Sequence, residues 1–153
     1  KLEKLGYKHY EISNFALSGY ESKHNMDCWN QKEYMGFGVS AHSYVDNVRF
    51  SNIDNIEEYI ENIKSDKPEN NFVFHEKQDK KIKMQEYMML GLRKIDGVDC
   101  SLFETKFNED IFLVFDKEIE KLIREELIVI EDGRIKLSKK GIDLANLVWE
   151  EFV

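Results

Sequence analysis

Residues 127–137 have the sequence LIVIEDGRIKL, and this stretch decides the fold of the second half of the chain. Two strand-like runs, Leu127–Ile130 and Arg134–Leu137, flank the segment Glu131–Gly133. Because aspartate followed by glycine favours a tight turn between antiparallel strands, the pattern predicts a β-hairpin. Ser138 follows directly and can accept a hydrogen bond from the first turn of a helix, so a helix is expected after the hairpin.

Apolar side chains recur at helical spacing elsewhere in the chain, and this periodicity predicts further helices. Three of them precede the hairpin in the second half of the chain, one closes the chain, and one lies upstream with Asn52 or Asp54 as its cap. Three helices, a hairpin and a closing helix together predict a winged-helix-like domain. The predicted helices rest, in chain order, on Ile56, Tyr59, Ile60 and Ile63; on Met84, Tyr87, Met88, Gly91 and Leu92; on a capping box at Ser101–Glu104; on Phe115, Ile119, Leu122 and Ile123; and on Ile142, Ala145, Trp149 and Phe152.

The first part of the chain is predicted to be less regular. Tyr7–Ile12 is typical of a short strand, and Asn14–Asn30 is so rich in Ser, Asn, Gly and Asp that it predicts a long loop. Tyr34–Val45 mixes β-forming residues with Gly36 and Gly38, which predicts a strand that another segment of backbone approaches closely.

A boundary between two modules is expected near Pro68, the only proline of the chain. It lies in Ser65–Asn71, the most polar and turn-rich stretch of the sequence. We therefore predict a first module at residues 1–70 and a second at 71–153.

The charge of the chain disfavours nucleic acid as a partner. The formal net charge is −8, and an acidic surface repels phosphate groups. Although winged helices often bind DNA, the helix in the recognition position, Asp116–Leu127, carries five acidic and three basic side chains. A packing or docking role is therefore favoured over DNA binding for the second module.

The sequence is typical of a cytoplasmic protein. It contains two cysteines, Cys28 and Cys100, too few for a disulfide-stapled secreted domain. No uninterrupted apolar run is long enough to span a bilayer, and Lys1–Lys4 does not open a signal peptide. The chain does not begin with methionine, and we expect it to be the C-terminal part of a longer protein.

Potential ligands for a haem group are concentrated in residues 24–29, HNMDCW. The imidazole of His24 and the thiolate of Cys28 are both common axial ligands of haem iron, and the indole of Trp29 can stack on a porphyrin. The same residues also fit a simpler interpretation, in which His24 bonds to backbone and Trp29 anchors the loop to the core.

Three stretches together resemble a known family. They are YEISNFA at residues 10–16, SKHN at 22–25 followed by Trp29, and YMGFGVSAHS at 34–43. In this order and spacing they resemble the radical S-adenosylmethionine proteins of the oxygen-independent coproporphyrinogen III oxidase family, and more specifically its haem-chaperone branch. The sequence LSKKG at 137–141 is similar to the close of the family's C-terminal domain, so the resemblance covers nearly the whole chain.

The resemblance implies an α+β fold: the end of a partial (β/α) barrel followed by a mostly helical, winged-helix-like domain with a β-hairpin. In the family the barrel holds a [4Fe-4S] cluster and S-adenosylmethionine. Tyr7–Ala16 would carry the last barrel strand, and Ala16 and His42 would match positions that line the S-adenosylmethionine pocket.

The resemblance also implies a haem site in residues 24–29. His24 would match the histidine linked to haem binding in the chaperone branch, with Asn25 and Trp29 beside it, and we expect His24 to ligate the haem iron. Cys28 stands where that branch usually has tyrosine. The substitution is either silent or adds a thiolate close to the haem.

The family's cluster motif, C-x3-C-x2-C, does not occur in this sequence. The chain alone is therefore not expected to cleave S-adenosylmethionine. The predicted function of the longer protein is to bind haem and deliver it to an acceptor protein, which could itself be membrane-associated. Two alternatives remain, an oxygen-independent coproporphyrinogen III oxidase of porphyrin biosynthesis and a docking module with no ligand of its own.

Overall fold

The computed structural model describes residues 1–74 and 79–153, and its architecture is α+β, as predicted. By their contacts these residues divide into two compact units. The first combines Lys1–Gln31 with Lys80–Val153, and the second is Lys32–Asp79. The first unit is thus discontinuous in sequence. Whether the module boundary predicted near Pro68 separates barrel from C-terminal domain stays a prediction.

The elements of the first unit lie on both sides of the second in sequence. They are β1 (Lys8–Glu11), β2 (Asn14–Ala16), α1 (Lys23–Trp29), α3 (Lys80–Gly91), β6 (Val98–Asp99), α4 (Cys100–Phe107), α5 (Ile111–Val114), α6 (Asp116–Arg124), β7 (Ile128–Glu131), β8 (Arg134–Leu137), α7 (Lys139–Asp143) and α8 (Ala145–Glu150). The second unit contains β3 (His42–Val45), β4 (Val48–Asn52), α2 (Ile56–Lys64) and β5 (Phe72–Phe74).

The strand predicted at Tyr7–Ile12 is confirmed as β1, but the long loop predicted after it was wrong. The chain reverses after Glu11 and pairs β2 antiparallel to β1, so Tyr7–Ala16 forms a hairpin. The buried carboxylate of Glu11 accepts hydrogen bonds from the Ser13 backbone N–H at 3.0 Å and from Nδ2 of Asn14 at 2.5 Å, which stabilises the reversal. The rest of the predicted loop contains the helix α1.

The hairpin predicted from residues 127–137 is confirmed. Strands β7 and β8 pair antiparallel from Ile128 opposite Leu137 to Glu131 opposite Arg134, and β6 adds a third strand on the other side of β8. The side-chain oxygen of Ser138 accepts a hydrogen bond from the Gly141 N–H at 2.9 Å, so the predicted helix cap is also confirmed.

Several helix boundaries of the second half differ from the prediction: α6 ends at Arg124 and not at Leu127, and α5 was not predicted. The predicted capping box at Ser101–Glu104 was wrong, because Asp99 caps α4 and accepts hydrogen bonds from the N–H groups of Ser101 and Leu102. An aspartate that ends a strand can cap a helix starting at the next residue, and this moves the helix start to Cys100. The closing helix is divided into α7 and α8 at Leu144.

The core of the first unit contains the apolar stripes predicted for the second half of the chain, except Ile123, which is 43% exposed. Phe103 lies within 6.1 Å, between ring centroids, of the rings of Tyr87, Phe107 and Phe115, and Phe115 packs in turn on Phe152. The methionines of α3 are core residues, since Met84 is 7% exposed and Met88 is fully buried. A single aromatic and aliphatic core therefore holds the C-terminal helices to the three-stranded sheet.

The second unit contains a three-stranded antiparallel sheet in the order β3-β4-β5. The helix α2 lies between β4 and β5 in the sequence. Of the strand predicted at Tyr34–Val45, only β3 is regular, and Tyr34 forms an isolated bridge with Tyr44. The predicted close approach is confirmed at Gly36, where an added Cβ would lie 2.2 Å from the carbonyl oxygen of His42. Both predicted caps of α2 were wrong, because Asn55 caps the helix.

None of the helices formed by residues 1–74 and 79–153 combines the length and the hydrophobicity needed to cross a membrane.

Candidate functional site

The helix α1 places the two candidate haem ligands side by side. His24 and Cys28 are four residues apart, so they lie on the same face of the helix. The Nε2 atom of His24 lies 3.9 Å from the Sγ atom of Cys28. His24 is exposed, Cys28 is half-buried, and Cys28 forms no disulfide bond. An imidazole and a thiol that share one accessible helix face are a pair of potential metal ligands.

The start of α1 is fixed by a cap that is itself attached to the β1–β2 hairpin. The Oγ atom of Ser22 accepts a hydrogen bond from the Asn25 N–H at 3.3 Å. The Ser22 N–H donates to the hydroxyl of Tyr10 at 3.4 Å, and Tyr10 belongs to β1. Asn25, which the resemblance places beside the haem, thus stabilises the first turn of the helix through its backbone.

The end of α1 is anchored by Trp29, on a different side of the helix from the ligand pair. Trp29 follows His24 by five residues, which turns it about 140° around the helix axis. The guanidinium carbon of Arg93 lies 4.4 Å from the ring centroid of Trp29 and 4.6 Å from that of Trp149. The Arg93 cation is therefore stacked between the two tryptophans of the chain.

This stack contains three buried hydrogen-bond donors. The Nε1 atoms of Trp29 and Trp149 and the Nε atom of Arg93 have no hydrogen-bond partner in the part of the chain that the structure describes. Neither the pairing of Arg93 with two indoles nor its place at the end of α1 was predicted from the sequence. The sequence placed Trp29 among the potential haem residues and Trp149 on the closing helix. No short-range sequence pattern indicates that a cation lies between two side chains so far apart in the chain.

Polar contacts hold the segment after α1 against the C-terminal elements. The Nζ atom of Lys94 donates to Oδ1 of Asn30 at 2.7 Å, and burial lowers the pKa of Lys94. The Nζ atom of Lys106 donates to Oε1 of Gln31 at 2.8 Å, and Nε2 of Gln31 donates to a carboxylate oxygen of Glu86 at 3.3 Å. With Trp29 and this segment attached to the first unit, the accessible side of α1 is the one that carries His24.

The two residues assigned to an S-adenosylmethionine pocket belong to different units. Ala16 ends β2 in the first unit and is 8% exposed. His42 begins β3 in the second unit and is exposed. Their assignment to one pocket stays a prediction.

The cysteines of this chain do not fit an iron–sulfur cluster of the family type. Cys28 and Cys100 are the two cysteines of the sequence, whereas the family motif C-x3-C-x2-C contains three. Cys100 begins α4, and burial raises the pKa of its thiol. Within residues 1–74 and 79–153 there is no group of three or more His, Cys, Asp or Glu side chains arranged to hold a metal ion.

Known proteins resemble this chain over its whole length. The HemN C-terminal domain family matches residues 78–144. The "Heme chaperone HemW" of Lactococcus lactis is 38% identical over 99% of this chain and 39% of the relative, and that of Bacillus subtilis is 34% identical over 100% of this chain and 40% of the relative. The chain thus spans about two fifths of the length of these relatives.

A solved structure confirms the fold. Coproporphyrinogen III oxidase (HemN) from Escherichia coli, a radical SAM enzyme, matches with a TM-score of 0.74 and 16% identity over 99% of this chain and 38% of that protein. The family expected from the three sequence stretches is therefore confirmed. Residues 78–144 match the HemN C-terminal domain family, and over its whole length the chain is similar to the two haem-chaperone relatives.

Proposed function

We propose that this chain is the haem-binding part of a haem chaperone, which binds haem at α1 and passes it to an acceptor protein. The observation that carries the proposal is the accessible face of α1, where the imidazole of His24 and the thiol of Cys28 lie 3.9 Å apart. Both groups are common axial ligands of haem iron. The two relatives named as haem chaperones, at 38% and 34% identity, support the same function.

The surroundings of α1 suit an apolar macrocycle. Tyr20 is 81% exposed and Leu17 is 44% exposed, and both precede the Ser22 cap by a few residues. Large apolar side chains that are exposed a few residues before potential metal ligands are available for contact with a porphyrin face. Trp29 packs against Arg93 instead, and its proposed role is to hold the helix in position.

The chaperone is proposed over the oxidase because the likeness to the Escherichia coli enzyme, at 16% identity, concerns the fold alone. In the longer protein we propose that S-adenosylmethionine and a [4Fe-4S] cluster are also bound, with Ala16 and His42 at the S-adenosylmethionine. The cluster thiolates would come from outside this sequence. The proposed location is the cytoplasm, with haem and a haem acceptor as partners and no nucleic acid.

The test is a hemin titration of the 153-residue chain, followed by the Soret band. Saturable binding at one haem per chain is expected, together with its loss in the double variant His24→Ala, Cys28→Ala. Lys23→Ala is the matched control, because it removes an exposed side chain from the same helix turn without removing a ligand. Equal binding by the double variant would contradict the proposal and indicate adsorption elsewhere on the chain.

A further inference from the structure

We propose that His24 and Cys28 are alternative axial ligands of one haem: the Cys28 thiolate binds the ferric form and the His24 imidazole binds the ferrous form. The inference rests on the proposed haem-binding function. It assigns a role to Cys28, the position at which this chain departs from the tyrosine expected from the family resemblance.

The geometry allows either ligand to hold a haem in nearly the same place. The two donor atoms are 3.9 Å apart on one helix face. Bonds from a metal to imidazole nitrogen or to thiolate sulfur are about 2.0 to 2.3 Å long, with zinc as the reference. An iron could therefore pass from one donor to the other by moving less than the helix pitch of about 5.4 Å.

The same geometry prevents both ligands from binding opposite faces of one haem. For that, the porphyrin would have to lie between two side chains that contact each other on consecutive turns of α1. The macrocycle is wider than one helical turn of about 5.4 Å, so it would collide with the helix backbone. Only one of the two side chains can ligate at a time, and the opposite face of the haem is left for a ligand from an acceptor protein.

Charge decides which donor each oxidation state prefers. Apart from its propionates, a ferric porphyrin carries one positive charge and a ferrous porphyrin carries none. The thiolate is the ligating form of cysteine and is anionic, whereas the ligating imidazole is neutral. The ferric form therefore gains an electrostatic attraction to Cys28 that the ferrous form lacks.

The exchange is balanced as a one-electron step. An external one-electron reductant supplies one electron to the iron, and the bond between iron and the Sγ atom of Cys28 breaks. The sulfur takes up one proton from water, and the Nε2 lone pair of His24 forms the new bond to the iron. Oxidation reverses each of these changes.

Four proteins test the inference: the 153-residue chain, Cys28→Ser, His24→Ala and the control Lys23→Ala. Each is titrated with hemin, examined by absorption and electron paramagnetic resonance, and then reduced with dithionite; circular dichroism verifies that each variant is folded. The ferric chain and ferric His24→Ala are expected to show the spectra of thiolate-ligated haem, which Cys28→Ser lacks. After reduction, His24→Ala is expected to bind haem at least about tenfold more weakly than the chain.

The outcomes separate this inference from the proposed function. If Cys28→Ser has the ferric spectrum of the unaltered chain, while the double variant still loses binding, the inference is wrong and the haem site stands. If reduction leaves haem affinity equal in His24→Ala and in the chain, the ligand exchange is wrong. If none of the proteins binds hemin saturably, both proposals fail.

Discussion

Replacement of Arg93 by methionine removes the cation that links the end of α1 to the closing helix α8. The guanidinium carbon lies 4.4 Å and 4.6 Å from the ring centroids of Trp29 and Trp149. Such a contact contributes from about 0.5 kcal/mol at exposed sites to about 2 kcal/mol when desolvated. All three side chains are half-buried, so we expect about 1 kcal/mol for each ring.

An opposing effect comes from the Nε atom of Arg93, which is buried without a partner in the described chain. An unsatisfied buried donor costs about 1 to 3 kcal/mol, and methionine removes it. Arg93→Met loses two ring contacts, about 2 kcal/mol together, and regains about 1 kcal/mol if the unsatisfied donor had the smallest of these costs. The free energy of unfolding of Arg93→Met is then expected to be about 1 kcal/mol lower than that of the unaltered chain.

A double-mutant cycle isolates the contact between Arg93 and one ring. Urea unfolding of the chain, Arg93→Met, Trp149→Leu and the double variant, followed by far-UV circular dichroism, is expected to give a coupling energy of about 1 kcal/mol. The combination of Arg93→Met with Ser138→Ala is the control and should be additive. A coupling energy between Arg93 and Trp149 below about 0.3 kcal/mol would refute the stacking argument, because mutations at sites that do not interact already deviate from additivity by about that amount.

Three further outcomes are expected. Gly141→Ala should lower the free energy of unfolding by about 1 to 3 kcal/mol, because its Cβ would lie 1.9 Å from a backbone carbonyl oxygen. Gly133→Ala is the control: nothing lies within 4 Å of its Cβ, so it should lose only the conformational cost of positive φ, about 1 kcal/mol. Equal losses for the two variants in urea unfolding would contradict this. Hydrogen bonds, first of all the one from the Ser101 side chain, lower the pKa of the Asp99 carboxyl group. The stabilisation from its carboxylate is therefore present above pH 3.8 and is lost as the pH falls through the lowered pKa of the folded state. Asp99→Asn should flatten this acid loss of stability, and an unchanged acid unfolding curve would be inconsistent with the lowered pKa. Ser22→Ala removes the cap of α1, worth about 1 kcal/mol, and should weaken hemin binding in the Soret titration, whereas undiminished affinity would show that the cap does not order the site.

Local patterns predicted most of the C-terminal fold correctly. The prediction was right for the β7–β8 hairpin, its turn and the cap at Ser138. Each of these features depends on residues only a few positions apart, so the spacing along the chain is enough to predict it. The capping residue of α4 was missed because Ser101 and Asp99 both suit a cap, and pairing of β6 with β8 decides between them. Which residues begin a helix thus depends in part on a sheet partner 35 residues away, Arg134 opposite Asp99.

The candidate site was predicted in composition but not in shape. His24, Cys28 and Trp29 were identified as chemically significant, whereas their polar surroundings predicted a loop. The helix forms because Ser22 caps it and Trp29 anchors it. Only in a helix do His24 and Cys28 fall on one face, and the alternative ligand pair follows from that geometry.

The sequence by itself determined the hairpin, the apolar stripes and the identity of the potential ligands, because each depends on residue type and on short-range spacing. The α+β class was implied by its resemblance to a known family. Only the tertiary structure decided that residues 1–31 pack with residues 80–153, and that Arg93 lies between Trp29 and Trp149. These contacts join side chains that are far apart in the chain. Local periodicity does not reveal such a distant partner. The orientation of α1, and with it the accessible side of the proposed haem site, therefore arises only when the two segments pack together.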